Sequence, residues 1–285
     1  MKISRECYLC IYTQTLNLTK RLKLDENKAS EILRGVAKIL SKYDLNVTPP
    51  EIAAEVYDFI SKTARISDPF FEAKKEAISE ALKFKEILEI KLKNSQNQLL
   101  DACKIAVAGN VIDLGVNQTY DLDKEIESIF DIEFKRSDFN EFQSKLKNAK
   151  SIVYLGDNAG ENVFDEIFIK QLKKNADKIY YFTRGKPIIN DITVNDLKGL
   201  EIFDLAEVIN SGVTTPGFHL KYADKRAKKL FFDADLVISK GMGNFECLFG
   251  ECKREVFYLF KVKCEVVARA CGASVGDYML LKGIK

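Results

Sequence analysis

The chain has 285 residues, 46% of them hydrophobic and 30% charged, enough to bury a large core in one or two domains. A formal net charge of +2, with lysine and glutamate interspersed, leaves no field for nucleic acid or an anionic membrane, and no apolar run approaches the roughly 20 residues that span a bilayer. The single histidine, His219, rules out a zinc site built on several imidazoles. The seven cysteines, odd in number and scattered, do not make a disulfide framework, and with no signal-peptide core behind Met1 the expectation is a cytoplasmic protein.

Residues 1–108 read as helical throughout. Asp25 can cap a helix carrying Ile32, Val36, Ile39 and Leu40. Thr48-Pro49-Pro50-Glu51 is a capping-box pattern with proline at the first helical position, and it opens a helix with Ile52, Val56, Phe59 and Ile60 on one face. Asp68-Pro69 punctuates the chain before a long helix through Lys74, Ile78, Leu82, Ile87 and Ile90. A further helix holds Leu99, Cys103, Ile105 and Val107 and ends at Gly109.

Beyond about residue 120 short apolar runs alternate with amphipathic helices. Strands are predicted near 132–134, 152–155, 179–183, 207–209, 236–239 and 256–261. That alternation implies βαβ units and a mainly parallel sheet. The expected architecture is α/β: a three-layer α/β/α domain over 109–285 behind an all-helical N-terminal domain over 1–108, with the substrate cleft between them.

Three strand ends carry chemistry. The apolar run Ile152-Val153-Tyr154-Leu155 stops at Gly156 and is followed by Asp157-Asn158-Ala159-Gly160-Glu161 and a helix with Val163, Phe164, Ile167 and Phe168. In an open α/β sheet that edge binds ligands, and Asp157 and Asn158 offer hard oxygen donors to a divalent cation. An ordinary αβ loop with Asp and Asn as turn formers reads the same way. Asp191 lies in the turn beyond the second strand. Lys240, with Gly241 and Gly243, ends the third, as a lysine in a glycine-rich loop before a helix, which is a phosphate-binding arrangement. Asp165 and Glu166 read as solvated helix residues, and His219 as a loop or surface histidine. Cys7 and Cys10 have the spacing of a metal knuckle or redox pair. With no second CxxC, helix-packing cysteines are the alternative to a structural metal, and Cys264 and Cys271 are expected to face the core.

Taken together, Cys7-Tyr8-Leu9-Cys10, Asp68-Pro69-Phe70 with Lys74, Ala108-Gly109-Asn110-Val111-Ile112-Asp113, Gly156-Asp157-Asn158-Ala159-Gly160-Glu161, Asn190-Asp191-Ile192-Thr193 and Lys240-Gly241-Met242-Gly243-Asn244 resemble the damage-control phosphatase family, long called domain of unknown function 89. The resemblance covers nearly the whole chain. It is nearest the stand-alone prokaryotic branch, with Lys-Gly-Met-Gly-Asn where the kinase-fused branch has Glu-Gly-Met-Gly-Arg. It implies a metal-dependent phosphatase acting on a small phosphorylated metabolite, such as a sugar phosphate or a damaged phosphometabolite. By that match Asp157, Asn158 and Asp191 bind Mn²⁺, Mg²⁺, Co²⁺ or Ni²⁺; Lys240 and the glycine loop of Gly241 and Gly243 hold the phosphate; and Asn110 and Asp113 face the same pocket.

Phosphoryl hydrolysis needs neutralised phosphate oxygens and a positioned nucleophile. Asp113 or Glu161 is expected to orient or deprotonate a water, and a covalent phosphate on Asp157 is the competing route. A protein that binds metal and phosphometabolite without hydrolysis fits the same residues. Methyl transfer is disfavoured, because no GxGxxG fingerprint follows a first strand.

Overall fold

The computed structural model describes residues 1–109 and 122–283. Five helices come first: α1 (Arg5–Arg21), α2 (Glu26–Leu40), α3 (Pro49–Ala64), α4 (Phe71–Lys93) and α5 (Gln98–Ala108). Then follow α6 (Leu122–Phe130), β1 (Phe134–Ser137), α7 (Phe139–Leu146), β2 (Ser151–Leu155), α8 (Glu161–Leu172) and β3 (Lys178–Thr183). The rest is α9 (Ile202–Leu205), β4 (Glu207–Asn210), α10 (Lys225–Asp233), β5 (Leu236–Lys240), α11 (Gly241–Leu248), β6 (Val256–Lys261), α12 (Glu265–Cys271) and β7 (Tyr278–Gly283). The predicted caps are in place. The Asp25 side chain accepts from the Lys28 N–H, and Thr48 and Glu51 form the reciprocal capping box with proline in the first turn.

The sheet has the order β1-β7-β6-β5-β2-β3-β4. Strands β2 to β6 run parallel, β7 is antiparallel to β6, and β1 pairs parallel with β7. The first strand, expected at 132–134, lies a little later, because Ile132 is spent in the core under the end of α6. The last strand, β7, was not predicted.

Alternate residues of each strand feed two cores, as a pleated sheet covered on both faces requires. Ile152, Tyr154, Ile238 and Leu259 face α4, α5, α7 and α8. Val153, Leu155, Val237 and Phe260 face α10, α11 and α12. A third core joins α1, α2 and α3 through Ile11, Ile32, Val36, Ile52, Val56 and Ile60. The first 108 residues are thus helical as predicted, but they serve two purposes: α1–α3 form a cap with its own core, while α4 and α5 lie in a layer of the sheet domain.

Candidate active site

Strand β2 has β3 on one side and β5 on the other, and the chain winds away from it in both directions. This is a topological switch point, where the loops beyond the strand ends part and leave a crevice. Asp157 follows β2, Arg184 follows β3, and Lys240 ends β5, so all three emerge at this one point.

The backbone knits the first two loops together. Ile192 N–H donates to the Asp157 carbonyl and Ala159 N–H to the Asn190 carbonyl, both at 2.9 Å. A one-residue antiparallel bridge sets Asn158 beside Asp191. Asp157 and Asp191 are buried. Asn158 donates through Nδ2 to Asp157 Oδ2 and to Glu161 Oε1, each at 2.9 Å. The guanidinium of Arg184 has no solvent exposure. Its Nε donates to Asp191 Oδ2 at 2.6 Å, its Nη2 lies 3.6 Å from Asp157 Oδ1, and neither Nη1 nor Nη2 has a hydrogen-bond partner.

Beneath them lies a second charged layer. Lys240, fully buried, places Nζ 2.8 Å from Asp165 Oδ1 and 3.3 Å from Glu161 Oε2. The hydroxyls of Tyr154 and Tyr181 donate to the two oxygens of Asp165 at 2.5 and 2.8 Å. Lys240 therefore meets carboxylates, not the cavity, in contrast to the direct phosphate contact expected of it. Asp165 and Glu166, read as solvated, are also corrected: both are fully buried, Asp165 on Lys240 and Glu166 on Lys85 Nζ at 2.6 Å.

Burial pushes the Asp157 carboxyl well above its ordinary range, and the negative neighbours Glu161 and Asp191 push the same way. Asp191 is also raised by burial, although Arg184 pulls it back in part. Burial works to lower Lys240, but Asp165 and Glu161 outweigh it and the ammonium ends above its ordinary value.

Two structural details hold the crevice open. Gly241 has φ of +72°, and a Cβ there would lie 1.8 Å from Asp157 Oδ2, so only glycine lets α11 begin against the carboxylate. Asn244 ties two strand ends to the loop after β4: Nδ2 donates to the carbonyls of Lys240 at 2.7 Å and Gly156 at 3.0 Å, while Oδ1 accepts from Phe218 N–H at 2.6 Å.

Above the carboxylates is a cavity of about 550 Å³. Asp157, Asn158, Asn190, Asp191 and Gly243 line its floor. Cys7, Cys10 and Ile11 of α1 and Pro49, Pro50 and Ala53 of α3 line its roof. The cleft expected between helical region and sheet is thus formed by the three-helix cap.

The structure brings together Asp157, Asn158, Asp191, Glu161, Lys240, Gly241 and Gly243. Glu161 touches Asn158 and Lys240 below the cavity floor. Asn110 and Asp113 lie outside the described residues; the preceding Gly109 packs on Glu161, where a Cβ would come within 2.5 Å of Cγ. Cys7 and Cys10 sit on the cavity roof, and Cys264, expected in the core, lines the cavity as well, whereas Cys271 is buried as expected. Among the described residues no three His, Cys, Asp or Glu side chains converge on a metal site. The donor set at the strand ends is two carboxylates and an amide. His219 is mostly buried, 3.6 Å from Glu51 Oε2, between a loop and α3. Sequence reasoning missed Arg184, and it named Asn244 within the Lys240–Asn244 motif without giving it a role. The available signal for Arg184 was a cation directly after an apolar strand on the ligand-binding edge.

Residues 3–279 match the family of the damage-control phosphatase ARMT1-like domain. The chain is 34% identical over 288 residues to a damage-control phosphatase of Pyrococcus horikoshii, covering 99% of this chain and 98% of that one. It is 32% identical over 292 residues to an uncharacterised protein of Methanocaldococcus jannaschii, covering 99% and 96%. The crystal structure of a domain-of-unknown-function-89 family protein from Pyrococcus horikoshii superposes with a TM-score of 0.93 at 31% identity, covering 99% of both chains.

Proposed function

The chain belongs to the damage-control phosphatase ARMT1-like family, and from that premise we propose that its cavity is the active site of a metal-dependent phosphomonoester hydrolase acting on small phosphorylated metabolites, sugar phosphates or damaged phosphometabolites among them.

One observation carries the metal dependence. Among the described residues, the contiguous buried cluster at the strand ends holds four carboxylates, Asp157, Glu161, Asp165 and Asp191, against two cations, Arg184 and Lys240. With every group ionised the formal excess is two negative charges. Buried charge without compensation is costly, and the raised carboxyls of Asp157 and Asp191 express that cost. A divalent cation held by Asp157, Asn158 and Asp191 would balance the cluster. Two carboxylate groups and an amide oxygen are donors that suit Mn²⁺ or Mg²⁺, and Co²⁺ or Ni²⁺ accept them. When bound, the cation supplies Lewis-acid polarisation and neutralises the charge of the phosphoryl group.

The protein's own groups do the rest. Arg184 holds Asp191 directly and lies beside Asp157, so the ligands are positioned before the cation arrives. Lys240 holds Glu161, which in turn accepts from the Asn158 amide, so its contribution to the phosphate is electrostatic and indirect. The start of α11 at Gly241–Gly243 presents backbone N–H groups to the phosphoryl oxygens. The cap covers the cavity from above with Ile11, Pro49, Pro50 and Ala53, an apolar wall beside the charged floor.

The test is phosphate release from a panel of sugar phosphates and p-nitrophenyl phosphate. Chelator-stripped protein is supplied with each metal in turn, alongside Asp157→Ala. The expected result is metal-dependent release that drops at least about a thousandfold in the variant. Stoichiometric metal binding without release from any ester would replace hydrolysis by a non-hydrolytic metal- and phosphometabolite-binding role. A phosphate adduct trapped on Asp157 would replace attack by water with attack by the carboxylate.

A further inference from the structure

The alcohol of an alkyl phosphate ester leaves as an alkoxide unless a proton reaches its oxygen as the P–O bond breaks, and at the cavity floor Asp157 and Asn158 are paired with each other and Asp191 with Arg184. We infer that Glu246, on α11, is the general acid that delivers this proton. The inference rests on the hydrolase reading above and extends it to the leaving group.

Glu246 lines the same cavity as Asp157, Asn158 and Asp191. It lies three residues beyond Gly243, hence on the same face of α11 and one turn farther from the sheet. The first residue of α11, Gly241, meets Asp157, so the helix starts at the cavity floor. Its outer end lines the cavity together with Cys7 and Cys10 of α1, and the Met1 amino group donates to the Glu246 carbonyl. A phosphoryl group seated on the floor therefore points its ester oxygen past Glu246, towards the cap.

The other titratable groups of the cavity are poorly suited. The Ser4 hydroxyl holds Glu6 at about 2, so its carboxyl carries no proton near neutrality. Glu265 and Lys263 are exposed to solvent. Burial pushes the Cys7 and Cys10 thiols up. Glu246 is half-buried, and burial pushes its carboxyl up to about 7, where an acid can be protonated at rest and still give up its proton. The charged and titratable groups around it are the amino group of Met1, which donates to the Glu246 carbonyl, Glu251, Cys247 on its own helix, and Cys7 and Cys10 on α1.

In the step, a water oxygen forms a bond to phosphorus as the P–O bond to the leaving group breaks. The electron pair of that bond takes the Glu246 proton and yields the alcohol. The proton lost by the water passes to solvent, and solvent returns one to Glu246. Atoms and charge balance as ester and water giving alcohol and phosphate.

The experiment compares Glu246→Gln and Glu246→Asp with the unaltered protein on two esters, glycerol 2-phosphate and p-nitrophenyl phosphate, with Mn²⁺ present. The aryl leaving group departs as an anion without help. For Glu246→Gln the expected loss of kcat/KM is about a hundredfold or more on the alkyl ester and less than a tenth of that factor on the aryl ester. The basic limb near pH 7 in the alkyl-ester profile disappears in Glu246→Gln and is partly restored in Glu246→Asp. Equal losses on both esters, or a basic limb that persists in Glu246→Gln, would overturn the assignment. Calorimetric Mn²⁺ binding by Glu246→Gln equal to that of the unaltered protein shows that the variant is folded. If the unaltered protein releases phosphate from neither ester, the hydrolase reading itself has failed, which is a different result.

Discussion

At the scale of single residues the site is arranged by close approach. Gly241 has no side chain because the Asp157 carboxylate occupies the space a Cβ would fill, and its φ of +72° is one that other residues adopt at a cost. In Gly241→Ala either the turn or the carboxylate shifts. Asp157 is the more exposed to change, since Arg184 contacts it only at 3.6 Å while the backbone is pinned by Asn244. The variant should lose about 1–3 kcal/mol of stability in urea unfolding and at least about tenfold in Mn²⁺ affinity by calorimetry. Full retention of affinity would mean that the cation does not touch Asp157.

At the scale of elements, the loop between β3 and the turn at Val194–Leu197 does two things at once. It carries Asp191, and it reaches into the cap: Ile188 is buried in the core of α1–α3, Ile189 has φ of +48°, and Lys186 pairs with Asp58 of α3 at 2.8 Å. A β-branched residue at positive φ is strained, and here the strain is held by the packing of its neighbour. Beyond Asp191 the loop is anchored again, because Asp196 accepts from Thr193 and from the buried Lys74, which also holds Asp68. Ile188→Ala should therefore cost about 2–5 kcal/mol by denaturant unfolding and raise KM for the phosphate ester. Loss of stability with KM unchanged would separate cap packing from the site. The sequence made much of this level legible. The strand runs, the caps and the Asp157, Asn158 and Asp191 turns stand where periodicity and turn chemistry put them. It did not reveal β7, because Tyr278-Met279-Leu280-Leu281 is a short apolar run between glycines with no alternation, a pattern shared by buried helix and strand. Nor did it reveal that Asp165 and Glu166 are buried. Helical spacing reports which face a residue is on, but the partners that make those carboxylates tolerable, Lys240 and Lys85, are distant in sequence. For the same reason Lys240 read as a phosphate contact when its ammonium is spent on carboxylates.

At the scale of the whole molecule, a nearly neutral chain concentrates a local excess of negative charge under a cap, and that excess links stability to pH and to metal. The Asp157 carboxyl is raised in the folded chain, first by burial and then by Glu161 and Asp191. A group raised on folding binds more protons in the native state than in the unfolded state between its two pKa values. Its stabilising contribution is therefore complete below the ordinary carboxylate range near about 4 and declines as pH rises towards the folded value. Two other groups move stability differently. Glu51, lowered to about 2 although burial opposes it, by the Thr48 N–H, the Tyr222 hydroxyl and His219, loses its contribution only as pH falls from its ordinary range towards 2. His219, lowered by burial, gains stability for the fold as pH rises through the ordinary histidine range. The informative quantity is therefore the increment from added cation, in which His219 cancels. A divalent ion binds the ionised carboxylates, so Mn²⁺ at about 100 times its Kd should add about 2.7 kcal/mol at pH 7.5 and distinctly less at pH 5.5, where protons compete for Asp157 and Asp191. Urea unfolding of chelator-stripped and Mn²⁺-loaded protein at the two pH values measures it. Equal increments at both would show that the cation is held by groups other than these buried carboxylates, and the charge excess beneath the cap would then need a different partner.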